Sequence, residues 1–462
     1  MTPPHARPYD NVLETVGWTP LIRLNQVVGD IRTPVYGKAE FFNPGGSVKD
    51  RIGAAIIEDA ERQGKLVPGG VVVEGTSGNT GVALAIAAVL KGYRCIFTMP
   101  DKMSQEKVRL LKAFGAEVII TPTAVPPDHP DNYVMKAKSI VENTHNAILA
   151  NQFYNQANVE AHYQSTGPEL WEQTEGRITH LAGSSGTGGT LSGAGRFLKE
   201  KNPTIRILSG DPDGSIYGAF AESQEMVEGH TYKVEGIGGD KIPDTLHYDV
   251  VDEFVTVSDR DAFQMARRLA REEGLFVGGS AGLNVYVGLK VAREIDDPSA
   301  LVVAILCDTG ERYLSKLFND EWMRENQLLD SDRVTAAQIL AAKPTGTPSL
   351  VTVEPSHTVR QALNLMSTYN VSQLPILDGG DCVGSLSEAV LMEQAMATPV
   401  VLDRPVHNVM EEPYPVVEPE FAVQGFSELL SRKTPAVLVR HNDELAGIIT
   451  RYDVLHQVAG IR

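Results

Sequence analysis

The stretch VVVEGTSGNTGVALAIAAVLKGYRCIFTMP, residues 71–100, decides the architecture. VVVE reads as a short buried strand, GTSGNTG as a glycine-rich turn, VALAIAAVLKG as a nearly all-apolar helix and CIFTMP as a second strand. A strand that feeds a helix and then another strand is the unit of a parallel sheet wrapped by helices. The rhythm continues outward: EKVRLLKAFG (106–115) reads as a helix and EVIITP (117–122) as the next strand. It returns with ITHLAG, the helical LSGAGRFLKEK, IRILSGD, the amphipathic RDAFQMARRLAREEG and the apolar LVVAILC near 301. The expected class is therefore α/β with mainly parallel sheets.

This pattern runs to about Asp330, and a chain of 462 residues holds two or three domains. Between Leu328 and Pro348 one short helical stretch precedes a Pro/Gly/Thr cluster, which places the boundary there. The C-terminal remainder of the chain is an internal repeat. VTVEP (351–355) returns as PVVEP (415–419), and VGSLSEAV (383–390) returns as AGIITRYDV (446–454). Each copy reads as strand, helix, strand, turn, strand, helix, and two such units bury each other's sheets. The expected organisation is an α/β domain over 1–330, a linker over 331–347, and repeat copies over 348–403 and 404–462.

Composition excludes several classes of function. Lys plus Arg number 41 and Asp plus Glu 59, a formal net charge of −18, which opposes binding to nucleic acid or anionic lipid. Apolar residues make up 42% and charged residues 22%, enough to build a packed core. Cys95, Cys307 and Cys382 are not paired at metal or dithiol spacing, so neither a zinc site nor a disulfide framework is expected. Cys95 and Cys307 lie in apolar runs and read as buried structural thiols. No segment approaches a membrane span or a signal peptide, and a cytoplasmic protein is expected.

The 42 glycines exceed the roughly 7% of an average chain, and many fall in loops between strand and helix. In GSSGTGGT (183–190) successive N–H groups can converge on an anion at the start of the next helix. A dinucleotide site is the competing reading, since Asp211 ends the next strand where a ribose-binding acid is expected. The third glycine of that fingerprint is replaced by Leu191, however. In FFNPGGSVKDR, Lys49 falls in the first turn of a helix expected to begin near Ser47. A cation is the wrong sign there. The helix end and Arg51 give that lysine reason to lose its proton, and a neutral amine forms an imine with a carbonyl cofactor. Thr76, Ser77 and Thr80 with the loop N–H groups form a donor cluster suited to a carboxylate, more than a helix cap needs.

These loops belong to a longer series of motifs. NPGGSVKDR, EGTSGNTG, PDKMSQEKVRLLKAFGAEVI, GSSGTGGT, EGIGGDKIP (235–243) and GGSAG (278–282) occur in one order over roughly residues 9–330. Together they closely resemble the cystathionine β-synthase family of fold type II enzymes, tryptophan synthase β-like in architecture, which use pyridoxal 5′-phosphate (PLP). The repeated part is similar to a tandem of CBS domains, an α+β Bateman module. The resemblance implies that Lys49 carries the cofactor as an imine and that Asn79 bonds its phenolic oxygen. It implies that Gly186, Thr187, Gly188, Gly189 and Thr190 hold its phosphate, and that Ser280 faces its ring nitrogen. Thr76, Ser77, Thr80 and Gln152 would hold the substrate's α-carboxylate. Serine opposite the ring nitrogen makes a weaker electron sink than aspartate would, which favours loss of a β-substituent.

The implied reaction is β-replacement, joining L-serine to L-homocysteine as cystathionine, with hydrogen sulfide from side reactions. Phe153 and Gly239 stand where the animal enzymes carry tyrosines, and with the segment DTGERYLS (308–315) they lean toward cysteine synthase, which uses O-acetylserine and sulfide. The chain starts close to the catalytic domain without a haem-binding segment, so the haem-free bacterial type is expected. Thr450 and Asp453 of the second repeat copy are spaced to hold a ribose, whereas the first copy has Ser387 but Val390 in the place of the acid. The resemblance implies AdoMet or an adenine nucleotide as regulatory ligand and a homodimer or higher homo-oligomer as the assembly. An inactive nucleotide sensor with the α/β part as scaffold is the alternative from another class.

Overall fold

The computed structural model describes residues 8–76, 78–101, 105–126, 128–329, 335–343, 348–431, 434–441 and 444–458. They form two compact units, residues 1–329 and 330–462.

Two sheets organise the first unit. One has six strands in the order Leu21–Arg23, Val35–Ala39, Val302–Leu306, His180–Ser184, Arg206–Pro212 and Glu253–Val257. All its pairs are parallel except the edge strand Leu21–Arg23. The other is wholly parallel, in the order Glu117–Thr121, Arg94–Pro100, Val71–Gly75 and Ala147–Leu149. The stretch 71–100 thus forms the two central strands of the smaller sheet and the helix Asn79–Lys91 between them.

Central strands of parallel sheets are covered on both faces, so they tolerate apolar residues at every position rather than at alternate ones. Val302–Leu306 is buried throughout, as are Val71, Val72 and Val73. One face of the larger sheet packs on the helices Asp259–Glu272 and Gly279–Ile295 through Leu269, Leu283 and Val287. Its other face meets Gly189–Lys201 through Leu191, Ala194 and Leu198. The smaller sheet is covered by Asp50–Arg62 and Asn79–Lys91 through Ile52, Ile56 and Leu84.

The second unit contains the repeat. In the first copy the hairpin Gln373–Asp378 and Asp381–Ser387 is joined by a parallel bridge at Val353 and packs on Val359–Tyr369 and Glu388–Ala397. In the second, Val416–Val417, Ala436–His441 and Glu444–Thr450 form a three-stranded sheet followed by the helix Arg451–Val458. The helix Ala336–Ala341, which precedes the first copy in sequence, packs instead with the second. Ala336 and Ile339 share a core with Phe426, Val437 and Ile449. Among the described residues no helix is long and apolar enough to cross a membrane.

Candidate active site

In parallel sheets, the loops leaving the carboxyl ends of the strands surround the place where ligands bind. Here Gly75, Ser184 and Ile305, at or near such ends, border one cavity of about 740 Å³. Lys49, Thr76, Asn79, Thr80, Gln152, Gly186, Thr187, Thr190 and Ser280 all line it, from segments up to 231 residues apart in the chain. Ser77 lies outside the described residues.

Lys49 sits immediately before the helix Asp50–Arg62, which starts three residues later than Ser47. Ser47 is instead bridged to Asp308, and the Val48 N–H donates to the Cys307 carbonyl at 2.8 Å, so tertiary pairing holds this segment extended. The Lys49 amine has no hydrogen bond or ion pair among the described residues. Its pKa is lowered by burial, opposed by the Cys307 and Asp308 charges. The sequence-based cause is thereby corrected. Arg51 points elsewhere, bonding Glu40 at 2.6 Å and Glu169 at 2.7 Å within a buried network that also holds Lys38.

The phosphate-loop candidates form a cradle. Among the described residues the N–H groups of Gly186, Thr187 and Gly188 donate to no protein acceptor, and the Ser184 hydroxyl is buried without a partner. Gly188 has φ +81°, and a Cβ on it would lie 2.5 Å from the Leu246 Cα. At Gly186 a Cβ would meet the Gly236 carbonyl at 2.3 Å. Glycine is required at both positions, by conformation in one and close approach in the other. Gly188 and Gly189 are not on the cavity wall: Gly188 packs on Leu246 and Gly189 on Asn158. The Thr190 hydroxyl and the His162 ring are 3.2 Å apart, and burial pushes that imidazole down to about 3, so it is neutral.

The carboxylate cluster is built around Gln152. Thr80 Oγ1 donates to Gln152 Oε1 at 2.6 Å, which leaves the Gln152 amide N–H groups free to donate. The buried Glu74 accepts the backbone N–H of Asn151 at 2.7 Å and of Gln152 at 3.4 Å. Asn79 donates to Asp308 Oδ2 at 2.8 Å and accepts from Arg312, which keeps one amide N–H for a ligand.

Several participants carried no sequence signal. Asn284 Nδ2 donates to the Cys307 sulfur at 3.3 Å. Cys307, just past the end of its strand, is half-buried rather than fully buried: it packs against the core of Leu181 and Ile305 and also lines the cavity. Burial pushes it up to about 11. Cys95 is buried, as its apolar run implies. Asp211, the competing ribose ligand, accepts the Gly218 N–H at 2.9 Å and so orders the start of Tyr217–Ser223. Of the two departures from the animal enzymes, Phe153 lines the cavity but Gly239 does not. A Cβ at 239 would lie 2.4 Å from the Tyr217 hydroxyl, which donates to the Gly186 carbonyl at 2.8 Å.

In the second unit, Thr450 donates to Asp453 Oδ2 through its N–H at 2.7 Å and its hydroxyl at 2.8 Å. Ser387, the counterpart of Thr450, gives its hydroxyl to Glu411 at 3.1 Å.

Among the described residues, the groups present fit PLP on their own chemistry: a half-buried amine without a partner for its aldehyde, orphan N–H groups for its phosphate, and amide and hydroxyl donors for an amino acid. Comparison with known proteins agrees. The chain matches the pyridoxal-phosphate dependent enzyme family over residues 12–308 and the CBS domain over 346–396 and 406–460. It is 38% identical to the cystathionine β-synthase of Dictyostelium discoideum, covering 96% of this chain and 91% of that one. It is 37% identical to the enzyme of the same name from Oryctolagus cuniculus, over 97% and 85%. Among solved structures, O-ureido-L-serine synthase superposes with a TM-score of 0.63 at 36% identity, covering 69% of this chain and 100% of that one. A hydrogen sulfide-producing enzyme of Fusobacterium nucleatum gives 0.61 at 32%, over 67% and 99%. The chain therefore belongs to the cystathionine β-synthase family of PLP-dependent enzymes, whose chemistry is β-replacement on an amino acid.

Proposed function

We propose that this enzyme condenses L-serine with L-homocysteine to give cystathionine and water. The observation that carries the reading is the likeness to cystathionine β-synthases over nearly the whole of both chains, the paired CBS domains included. When bound, PLP supplies an electron sink for the amino acid linked to it. Lys49 is the residue that would hold the cofactor, and its amine, whose pKa burial lowers, would take the α-proton and later return it. The Gln152 amide, Thr76, Ser77 and Thr80 would bind the α-carboxylate in the cavity that Lys49 also lines. The N–H groups of Gly186, Thr187 and Gly188 with the hydroxyls of Thr187 and Thr190 would hold the phosphate, Asn79 would donate to the phenolic oxygen, and Ser280 would face the ring nitrogen.

Side reactions of cysteine in the same site release hydrogen sulfide. Phe153 on the wall keeps cysteine synthase, acting on O-acetylserine and sulfide, as the second reading. In the full proposal the enzyme is a haem-free, cytoplasmic homodimer whose Thr450 and Asp453 bind an adenosyl ligand that regulates catalysis. The three unpaired cysteines suit a reducing compartment.

Product analysis decides between the readings. Serine plus homocysteine should give cystathionine with the higher kcat/KM; a higher value for O-acetylserine plus sulfide establishes the second reading. Lys49→Ala should lose the visible imine absorption and at least about 10²-fold in kcat. A colourless wild-type protein saturated with PLP, or bound haem in the purified enzyme, would overturn the proposal.

A further inference from the structure

The helix Ala336–Ala341 lies against the last strand of the second repeat copy. Leu340 packs where a Cβ on Gly447 would stand, 2.8 Å away, so glycine at 447 admits this close approach. Two residues past that helix, the Lys343 ammonium sits 2.9 Å from Asp453 Oδ2. Oδ2 therefore accepts the N–H and the hydroxyl of Thr450 and is ion-paired with Lys343, while among the described residues Oδ1 receives no donor. The carboxylate is fixed with one oxygen open to ribose hydroxyls. The ammonium beside it keeps two protons for another acceptor.

We propose that Lys343 makes this site selective for an adenine nucleotide, recognised through its phosphate, over AdoMet. The inference rests on the reading of Thr450 and Asp453 as an adenosyl site and adds the ligand's charge class. The candidate ligands share adenosine and differ at the 5′ position, where a nucleotide carries phosphate and AdoMet a sulfonium. A fixed cation within reach attracts the first through charge-assisted hydrogen bonds and repels the second. The first copy cannot duplicate the site, because Val390 replaces the acid and Ser387 is engaged by Glu411. One nucleotide binds per chain.

Calorimetry on the full-length holoenzyme with AMP, ATP, adenosine and AdoMet tests this. In the wild type, AMP and ATP should bind about tenfold or more tightly than adenosine, with AdoMet weaker than AMP. Lys343→Met should reduce AMP to the affinity of adenosine, and Lys343→Arg should restore it. Thermal melts confirm that each variant is folded. AdoMet binding as tightly as AMP, or an AMP-to-adenosine ratio unchanged by Lys343→Met, overturns the selectivity while leaving the adenosyl site standing. No binding by any of the four, or AMP binding unaffected by Asp453→Ala, overturns the site itself.

Discussion

Glu74 shows how a single buried residue sets conditions for the site. It lies next to the end of the strand that leads into the TSGNTG loop, and its carboxylate accepts the backbone N–H groups of Asn151 and Gln152. Burial pushes its pKa from 4.5 up to about 7, against the lowering by those bonds. Between these values the folded protein binds more protons than the unfolded chain, so this residue's contribution to stability falls as pH rises through the window. Asp50, pushed up to about 7 by burial, acts in the same direction. Glu40, held down to about 2 by Arg51, acts below pH 4.5, outside that window. Glu74→Gln should therefore gain stability relative to wild type on going from pH 5 to pH 8, by on the order of 2 kcal/mol. Urea denaturation at each pH checks this, and a difference constant with pH would show that Glu74 titrates as an ordinary carboxylate.

At the scale of elements, the candidate phosphate loop depends on pieces remote in sequence. Tyr217 holds the Gly186 carbonyl, Thr245 donates to the Thr187 carbonyl at 2.6 Å, and Asn158 donates to the Thr187 hydroxyl at 3.0 Å. These bonds turn the loop's carbonyls toward the protein, which leaves its N–H groups for an anion. Gly188→Ala places a side chain in a left-handed conformation and against the Leu246 backbone. It should cost roughly 2–4 kcal/mol of stability and release PLP, seen as a lower melting temperature and loss of the visible band. A variant that melts and absorbs like wild type would show that the loop shifts without cost. The strands and helices around this loop were legible in the apolar runs, whereas the exact start of the helix after Lys49 was not. Its first turn competes with the pairing of Ser47 and Val48 to the 307–308 segment, a contact across about 260 residues.

For the whole molecule, the two units enclose separate apolar cores, and every residue lining the candidate active-site cavity belongs to the first. A fragment ending at Leu329 should fold, keep the PLP absorption and catalyse β-replacement, but lose any response to adenosine ligands. Activity with and without AMP, beside a circular-dichroism melt, measures this. A fragment that folds and binds PLP but is inactive would make the second unit necessary for catalysis. The helix Ala336–Ala341 shows why its partner was not readable from order along the chain. Its apolar face does not name a partner, and only packing assigns it to the second copy.

By itself the sequence determined the parallel α/β class and the repeat, and it singled out the candidate cofactor loop and Lys49, because these follow from local periodicity and from motifs whose parts adjoin. The tertiary structure decided what depends on distant neighbours. It attributed the lowered pKa of Lys49 to burial rather than to Arg51, turned Cys307 to the cavity, assigned Asp211 to a helix start and brought Lys343 to Asp453. Burial and charge are properties of what surrounds a residue, and in this chain the surroundings come from segments far away in sequence.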